Sequence, residues 1–226
     1  MSQPVDEVAD IPVVIVGSFL IAFKAILLEG SEVAILSIAT MKQLGVKNVM
    51  AGVIIGSLIS IFTFLAVRQF FVLLPEDLAY FITAAVLLYF SSRFLRGFVK
   101  YYFGKKSFRE KMARMEEEAV GKNPKGPILG ESTVPIRFSI LGALPVLTIT
   151  VTEGFEASLV LAAAGAFNLE WTIIGAATSL VLIIIVSTIS YQYLLRFPRW
   201  LLDIIAGVIL LSFGLLFLAS GLFSLT

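Results

Sequence analysis

Long runs of apolar residues, separated by short turn-forming segments, dominate this chain of 226 residues. Six runs reach the length of about 20 residues that a helix needs to cross a bilayer. The predicted membrane helices cover Ile11–Met41, Val46–Leu74, Glu76–Lys100, Pro135–Phe167, Trp171–Leu195 and Trp200–Phe223. Together with a hydrophobic content of 58%, the pattern predicts an all-α, polytopic membrane protein.

One long polar segment, Gly104–Glu131, interrupts the apolar pattern near the middle of the chain. It begins with basic residues, continues with three consecutive glutamates and ends in a stretch rich in Gly and Pro, which predicts a short surface helix followed by a flexible linker. We therefore divide the chain into a first three-helix unit (residues 1–103), a charged loop (104–134) and a second three-helix unit (135–226).

The two units resemble each other in sequence. A shift of 124 residues places Glu29, Gly30 and Glu32 on Glu153, Gly154 and Glu156, and a shift of 123 places Gly52 on Gly175 and Pro75 on Pro198. Because each unit has an odd number of spans, the two copies must cross the membrane in opposite directions. This predicts two inverted three-helix repeats, with a binding site between them near the bilayer midplane.

The motifs Glu29-Gly30-Ser31-Glu32 and Glu153-Gly154-Phe155-Glu156 lie deep inside two of the predicted membrane helices. An ionised carboxylate at the centre of a membrane helix costs roughly 2.5–3.5 kcal/mol even on lenient scales, so such residues indicate function. Residues i and i+3 share one helix face. We therefore predict that Glu29, Glu32, Glu153 and Glu156 converge on one cation site.

The absence of His and Cys from the sequence restricts the chemistry of this site. Imidazole and thiolate ligands are excluded, as are catalytic triads built on histidine, and we expect the protein not to be an enzyme. Oxygen ligands favour hard cations such as iron, Mn²⁺ and Ca²⁺. The hydroxyl groups of Ser31, Thr148 and Thr152 are candidate auxiliary ligands.

Lys24 and Asp203 are two of the other charged residues that lie within predicted spans. Lys24 precedes Glu29 by about a turn and a half, and we expect it to act as a counter-ion to Glu29 or Glu32. Asp203 lies near one end of the last span, where we expect it to be interfacial and paired with Arg199 or a lysine of the charged loop.

The basic residues predict the orientation of the chain. Of the 17 Lys and Arg residues, all except Arg68 and Lys24 are assigned by the six crossings to one side of the membrane. The positive-inside rule makes that side cytoplasmic. We therefore predict a multi-pass protein of the cell membrane whose two termini are extracytoplasmic, with an uncleaved first helix.

The paired acidic motifs resemble the R-E-G-x-E motifs of the oxidase-dependent iron permease family. Leu28 and Thr152 stand where that family has its arginine. The resemblance implies that Glu29, Glu32, Glu153 and Glu156 bind and pass iron as the transported substrate, with no permanently bound cofactor. It also implies an extracellular oxidase or metal-delivery protein as a candidate partner. Membrane lipid is an expected partner and nucleic acid is not; a homo-oligomer is a further candidate.

Three other interpretations remain open. The protein could be a divalent cation/proton exchanger or exporter for Mn²⁺ or Ca²⁺, although the E-x-G-D signature of such proteins is absent here. It could be a non-transporting subunit of a membrane complex. The glutamates could also be a packing clamp, in which protonated side chains form hydrogen bonds between helices.

Overall fold

A computed structural model of the chain describes residues 12–103, 108–120, 138–196 and 199–224. These residues form seven α-helices, and the described part of the chain contains no strand. In chain order the helices are α1 (Pro12–Leu44), α2 (Val46–Leu73), α3 (Glu76–Tyr102), α4 (Phe108–Val120), α5 (Ile140–Gly165), α6 (Leu169–Arg196) and α7 (Arg199–Ser224).

Every helix except α4 is long and apolar enough to cross a membrane. The prediction of six apolar helices is therefore confirmed, with ends that agree to within a few residues. The start of the fourth span is the largest difference, because its helix begins at Ile140, whereas the predicted start, Pro135, lies outside the described residues. Pro145 is accommodated within the second turn of this helix.

The helices α1 and α5 occupy the centre of the bundle. Half of the most apolar window of each is buried, compared with 17% for α2 and 22% for α6. The most extensive helix pairs are α3 with α7, α2 with α5 and α1 with α6, followed by the central pair of α1 with α5. The two helices that carry the acidic motifs are therefore the ones with the most protein and the least lipid around them.

Glycines allow the peripheral helices to approach the central pair closely. A Cβ atom added at Gly52 of α2 would lie 2.8 Å from the Ala143 carbonyl oxygen of α5. A Cβ atom at Gly175 of α6 would overlap the Phe19 carbonyl oxygen of α1. Close backbone contact through small residues is how membrane helices gain packing energy.

The helix predicted in the charged loop is present as α4, but it is more than a solvated surface element. Met112 is only 4% exposed and packs with Ile35 of α1. The glutamates Glu116 and Glu117 lie on the same helix. The predicted linker, from Gly121 onward, lies outside the described residues.

Aromatic side chains close one end of the bundle. Phe167, after α5, stacks on Phe217 of α7 with a centroid separation of 4.3 Å and on Tyr80 of α3 at 5.2 Å. At the same end, Arg68 donates from Nε to the carbonyl oxygen of Gly165 at 3.1 Å. A cation at the last carbonyls of α5 satisfies an acceptor that has no partner within its helix.

The opposite end is held by the amide of Asn48, which is 2% exposed. Its Nδ2 donates to the Leu44 carbonyl oxygen at the end of α1 (2.7 Å), and its Oδ1 accepts the backbone N–H of Ser139 before α5 (2.8 Å). One side chain thus joins α1, α2 and the start of α5.

We predict that Asn48→Ala destabilises the bundle. It removes two hydrogen bonds between partly buried groups, each of which contributes about 0.5–1.5 kcal/mol. The thermal midpoint of the purified protein in detergent should fall by several degrees. Thr63→Ala is the matched control, because the Thr63 hydroxyl is exposed and bonds only within α2; an equal fall in both variants would contradict the assignment.

Candidate metal centre

Both acidic motifs lie on uninterrupted helices. The helix α1 continues from Pro12 to Leu44 through Glu29–Glu32, and α5 continues from Ile140 to Gly165 through Glu153–Glu156. The backbone is therefore helical at Gly30 and Gly154. The side chains, and not backbone carbonyls, are the available oxygen ligands.

Three of the four glutamates come together at the contact between α1 and α5. One carboxylate oxygen from each of Glu29, Glu153 and Glu156 lies within 4.8 Å of the other two. Oxygens on opposite sides of a Ca²⁺ ion, each at 2.3–2.6 Å, are about 4.6–5.2 Å apart. One cation could therefore contact all three carboxylates with only small side-chain adjustments.

The motif glycines let neighbouring helices pack against this cluster. A Cβ atom at Gly30 would lie 2.9 Å from Ile183 Cδ1 of α6, and one at Gly154 would overlap the Ser60 side chain of α2. Glu29 is 6% exposed and Glu153 is 7% exposed. The carboxylates are thus enclosed by protein, where electrostatic interactions are much stronger than in water.

Glu32 is placed differently from its predicted partners. It is fully buried, but the group of mutually close carboxylates does not include it. It lines a cavity together with Glu29 instead. The prediction of a single four-glutamate cluster therefore becomes, among the described residues, a cluster of three with the fourth glutamate in the adjoining cavity.

The site also includes a basic residue, Arg93, that was not predicted to belong to it. Arg93 of α3 donates from Nη1 to Glu156 Oε1 at 2.6 Å, and its charge also interacts with Glu29 and Glu153. Counting basic residues by side had placed Arg93 with the cytoplasmic loops. Its position, seven residues before the end of a predicted span, was the signal that could have identified it, since charges inside spans indicate function.

The cavity beside the cluster has a volume of about 370 Å³ and is lined by both acidic and basic residues. Its acidic lining residues include Glu29, Glu32 and Asp203, and its basic ones are Arg93, Arg96 and Lys100. Lys100 belongs to the last turn of α3, so the cavity extends from the motif of α1 towards the end of the bundle opposite the aromatic contacts. Glu153 and Glu156 are not among its described lining residues, which places Arg93 at the boundary between cavity and cluster.

The other two charged residues noted in the spans are both buried. Lys24 is 7% exposed, and its ammonium group lies 4.0 Å from the centroid of the Phe94 ring, a cation–π contact. Asp203 is 3% exposed and lies against Gly97, where an added Cβ atom would be 2.8 Å from Oδ2. This carboxylate is therefore enclosed by protein and faces the cavity, while its predicted level at the membrane interface stays a prediction.

The predicted auxiliary hydroxyl groups bond to their own helices. Ser31 Oγ donates to the Leu28 carbonyl oxygen at 2.8 Å, and Thr152 Oγ1 donates to that of Thr148 at 2.9 Å. The side chains of Thr148 and Thr152 lie on an exposed face of α5. Among the described contacts, the carboxylates and not these hydroxyl groups are therefore the main candidate ligands of the site.

Comparisons with known proteins identify no relative. No family model matches the chain, and neither a curated protein nor a solved structure matches it.

We predict that Glu153→Gln raises the thermal midpoint of the metal-free protein. Gln keeps the shape of the side chain and removes one of three close negative charges, whose mutual repulsion opposes folding. Glu117→Gln, on the exposed face of α4, is the matched control and should leave the midpoint unchanged. A fall on Glu153→Gln would favour the packing clamp, in which the carboxyl group supplies a hydrogen bond that stabilises the bundle.

Proposed function

We propose that the protein is a membrane permease for a hard metal cation, with iron as the first candidate. The observation that carries the proposal is the meeting of Glu29, Glu153 and Glu156 within 4.8 Å in the interior of a six-span bundle. Carboxylate oxygens are the ligands that hard cations prefer. The cation is the transported substrate, and Glu32 accepts it in the adjoining cavity.

The proposal includes an inverted repeat of three helices. The repeat relates α1 to α5, α2 to α6 and α3 to α7. Exchanging the two halves therefore converts the pair α2–α5 into the pair α6–α1 and leaves the pairs α3–α7 and α1–α5 unchanged. These four pairs have the most extensive contacts. The close approaches match in the same way. Gly52 contacts Ala143 and Gly175 contacts Phe19, and the repeat shift relates Gly52 to Gly175 and Phe19 to Ala143.

Alternating access would follow from this plan. The cavity reaches from Glu29 towards the end of the bundle where Lys100 lies, while Phe167, Phe217 and Tyr80 pack together at the other end. We interpret this as a conformation open towards the side that carries most basic residues. If the two pseudo-symmetric halves exchanged conformations, the cavity would open at the other end of the bundle, and the cation would pass across the membrane.

A divalent cation/proton exchanger is the second candidate, and the charge of the site is compatible with it. Three carboxylates and the guanidinium of Arg93 leave two negative charges, which one divalent ion balances. Fe²⁺, Mn²⁺ and Ca²⁺ all satisfy this count. The kinship with the oxidase-dependent iron permeases, and with it an extracellular oxidase or metal-delivery partner, rests on the two acidic motifs. A homo-oligomer remains a further proposal.

We expect metal ions to stabilise the protein against heat, and we expect variants of the cation-binding side chains to lose this stabilisation. Mn²⁺ or Fe²⁺ at micromolar concentration should raise the midpoint of the purified protein, since a ligand that binds only the folded state stabilises it. Glu29→Gln, Glu153→Gln and Glu156→Gln should each abolish most of this shift, because each removes a charged ligand. Glu32→Gln should have a smaller effect, and Glu117→Gln should have none.

A non-transporting subunit would behave differently. Its midpoint would be insensitive to these ions, and the three glutamate variants would differ from the parent only in metal-free stability. That outcome would overturn the proposed function while leaving the described fold intact.

We also propose that the ends of α2 and α5 are extracytoplasmic and that the protein lies in the cell membrane. Because the chain has no cysteine, single introduced cysteines report the side directly. Pro75→Cys and Glu170→Cys should react with an impermeant maleimide in intact cells, and Lys47→Cys should react only after permeabilisation. The reverse pattern would refute the orientation.

A further inference from the structure

We propose that Arg93 is a tethered counter-cation. Its guanidinium pairs with Glu156 in the metal-free site and moves into the cavity when a metal ion binds. The inference rests on the proposed function and assigns a specificity-determining residue to it. The metal would then compete with a charge that the protein itself supplies.

The first observation is the contact with the cluster. Arg93 Nη1 lies 2.6 Å from Glu156 Oε1, which is the length of a strong, charge-assisted hydrogen bond. The same carboxylate belongs to the group of three close glutamates. A metal ion bound to this oxygen would face the guanidinium across one atom, and two cations at that distance repel each other.

The second observation is that Arg93 has room to move. Its side chain is 46% exposed although Glu156 is only 17% exposed, and it lines the charged cavity. That cavity also presents the carboxylates of Glu32 and Asp203. These two groups can accept the guanidinium once a metal ion has taken its place at Glu156.

The third observation is that only one half of the chain carries this arginine. The repeat shift of 123 residues relates Arg93 to Leu216 and the shift of 124 relates Glu156 to Glu32. The guanidinium therefore has no counterpart in the other half, and it lies where α3 meets the second motif. An asymmetric charge at the boundary between cavity and cluster is suited to control entry from one side.

The test compares two arginines of the same cavity. Arg93→Gln should tighten the apparent Kd for Mn²⁺ by at least about tenfold, because it removes the competing charge, and should lower the thermal midpoint of the metal-free protein. Arg96 is the matched control, since it lines the same cavity and donates to Ser92 Oγ on its own helix. Arg96→Gln should change the Kd by less than about twofold.

A second measurement uses the parent protein and does not depend on a variant that folds. Phenylglyoxal modifies accessible arginines, and mass spectrometry reports each site separately. Mn²⁺ should increase the modification rate of Arg93, as the guanidinium leaves Glu156, and should not change that of Arg96. Glu153→Gln should suppress the Mn²⁺-dependent increase.

The outcomes separate the two levels of the proposal. In the first outcome, Mn²⁺ binds the parent and the glutamate variants lose this binding. If Arg93→Gln then binds Mn²⁺ as tightly as the parent or more weakly, and if Mn²⁺ does not increase the modification of Arg93, the counter-cation role is wrong and Arg93 is structural. If neither the parent nor Arg93→Gln binds Mn²⁺, Fe²⁺ or Ca²⁺, the metal site itself is wrong.

Discussion

The cluster of three carboxylates between two apolar helices, two of them buried and the third partly buried, is the constraint on which the rest of the structure depends. Negative charges in a low-dielectric interior are tolerated only when they are paired, hydrogen-bonded or bound to a cation. The central position of α1 and α5 and the close packing at Gly30 and Gly154 enclose the carboxylates. The ion pair from Arg93 supplies a compensating charge at Glu156. A bundle held together by packing alone would be simpler with leucine at these positions, which is why we attribute the glutamates to cation handling.

Much of the fold follows from local sequence. Hydropathy identifies six helices, and turn signals such as Leu74-Pro75 and Phe167-Asn168 place most ends within a few residues, because a membrane helix must satisfy its backbone hydrogen bonds internally. Duplicated motifs also indicate which two helices meet. The motif glycines Gly30 and Gly154 serve close helix packing, and α1 and α5 continue through them without a break.

The composition of the site depends on tertiary geometry that local sequence does not contain. In the proposed antiparallel arrangement of α1 and α5, Glu32 and Glu156 lie about 4.5 Å from the level of Glu29 and Glu153, in opposite directions along the helices, since three residues rise 4.5 Å. Glu156 is joined to the cluster beside Arg93, whereas Glu32 faces the cavity. Arg93 was not assigned to the site because its partner, Glu156, lies on another helix. The burial of Asp203 was not predicted because it depends on how α7 packs against Gly97.

Metal flux into proteoliposomes tests the central claim most directly. Purified protein should give saturable uptake of Fe²⁺ or Mn²⁺ above protein-free vesicles, and Glu153→Gln should abolish it while remaining folded. If flux is absent for Fe²⁺, Mn²⁺ and Ca²⁺, or if Glu153→Gln transports as well as the parent, the carboxylate cluster is not a transport site.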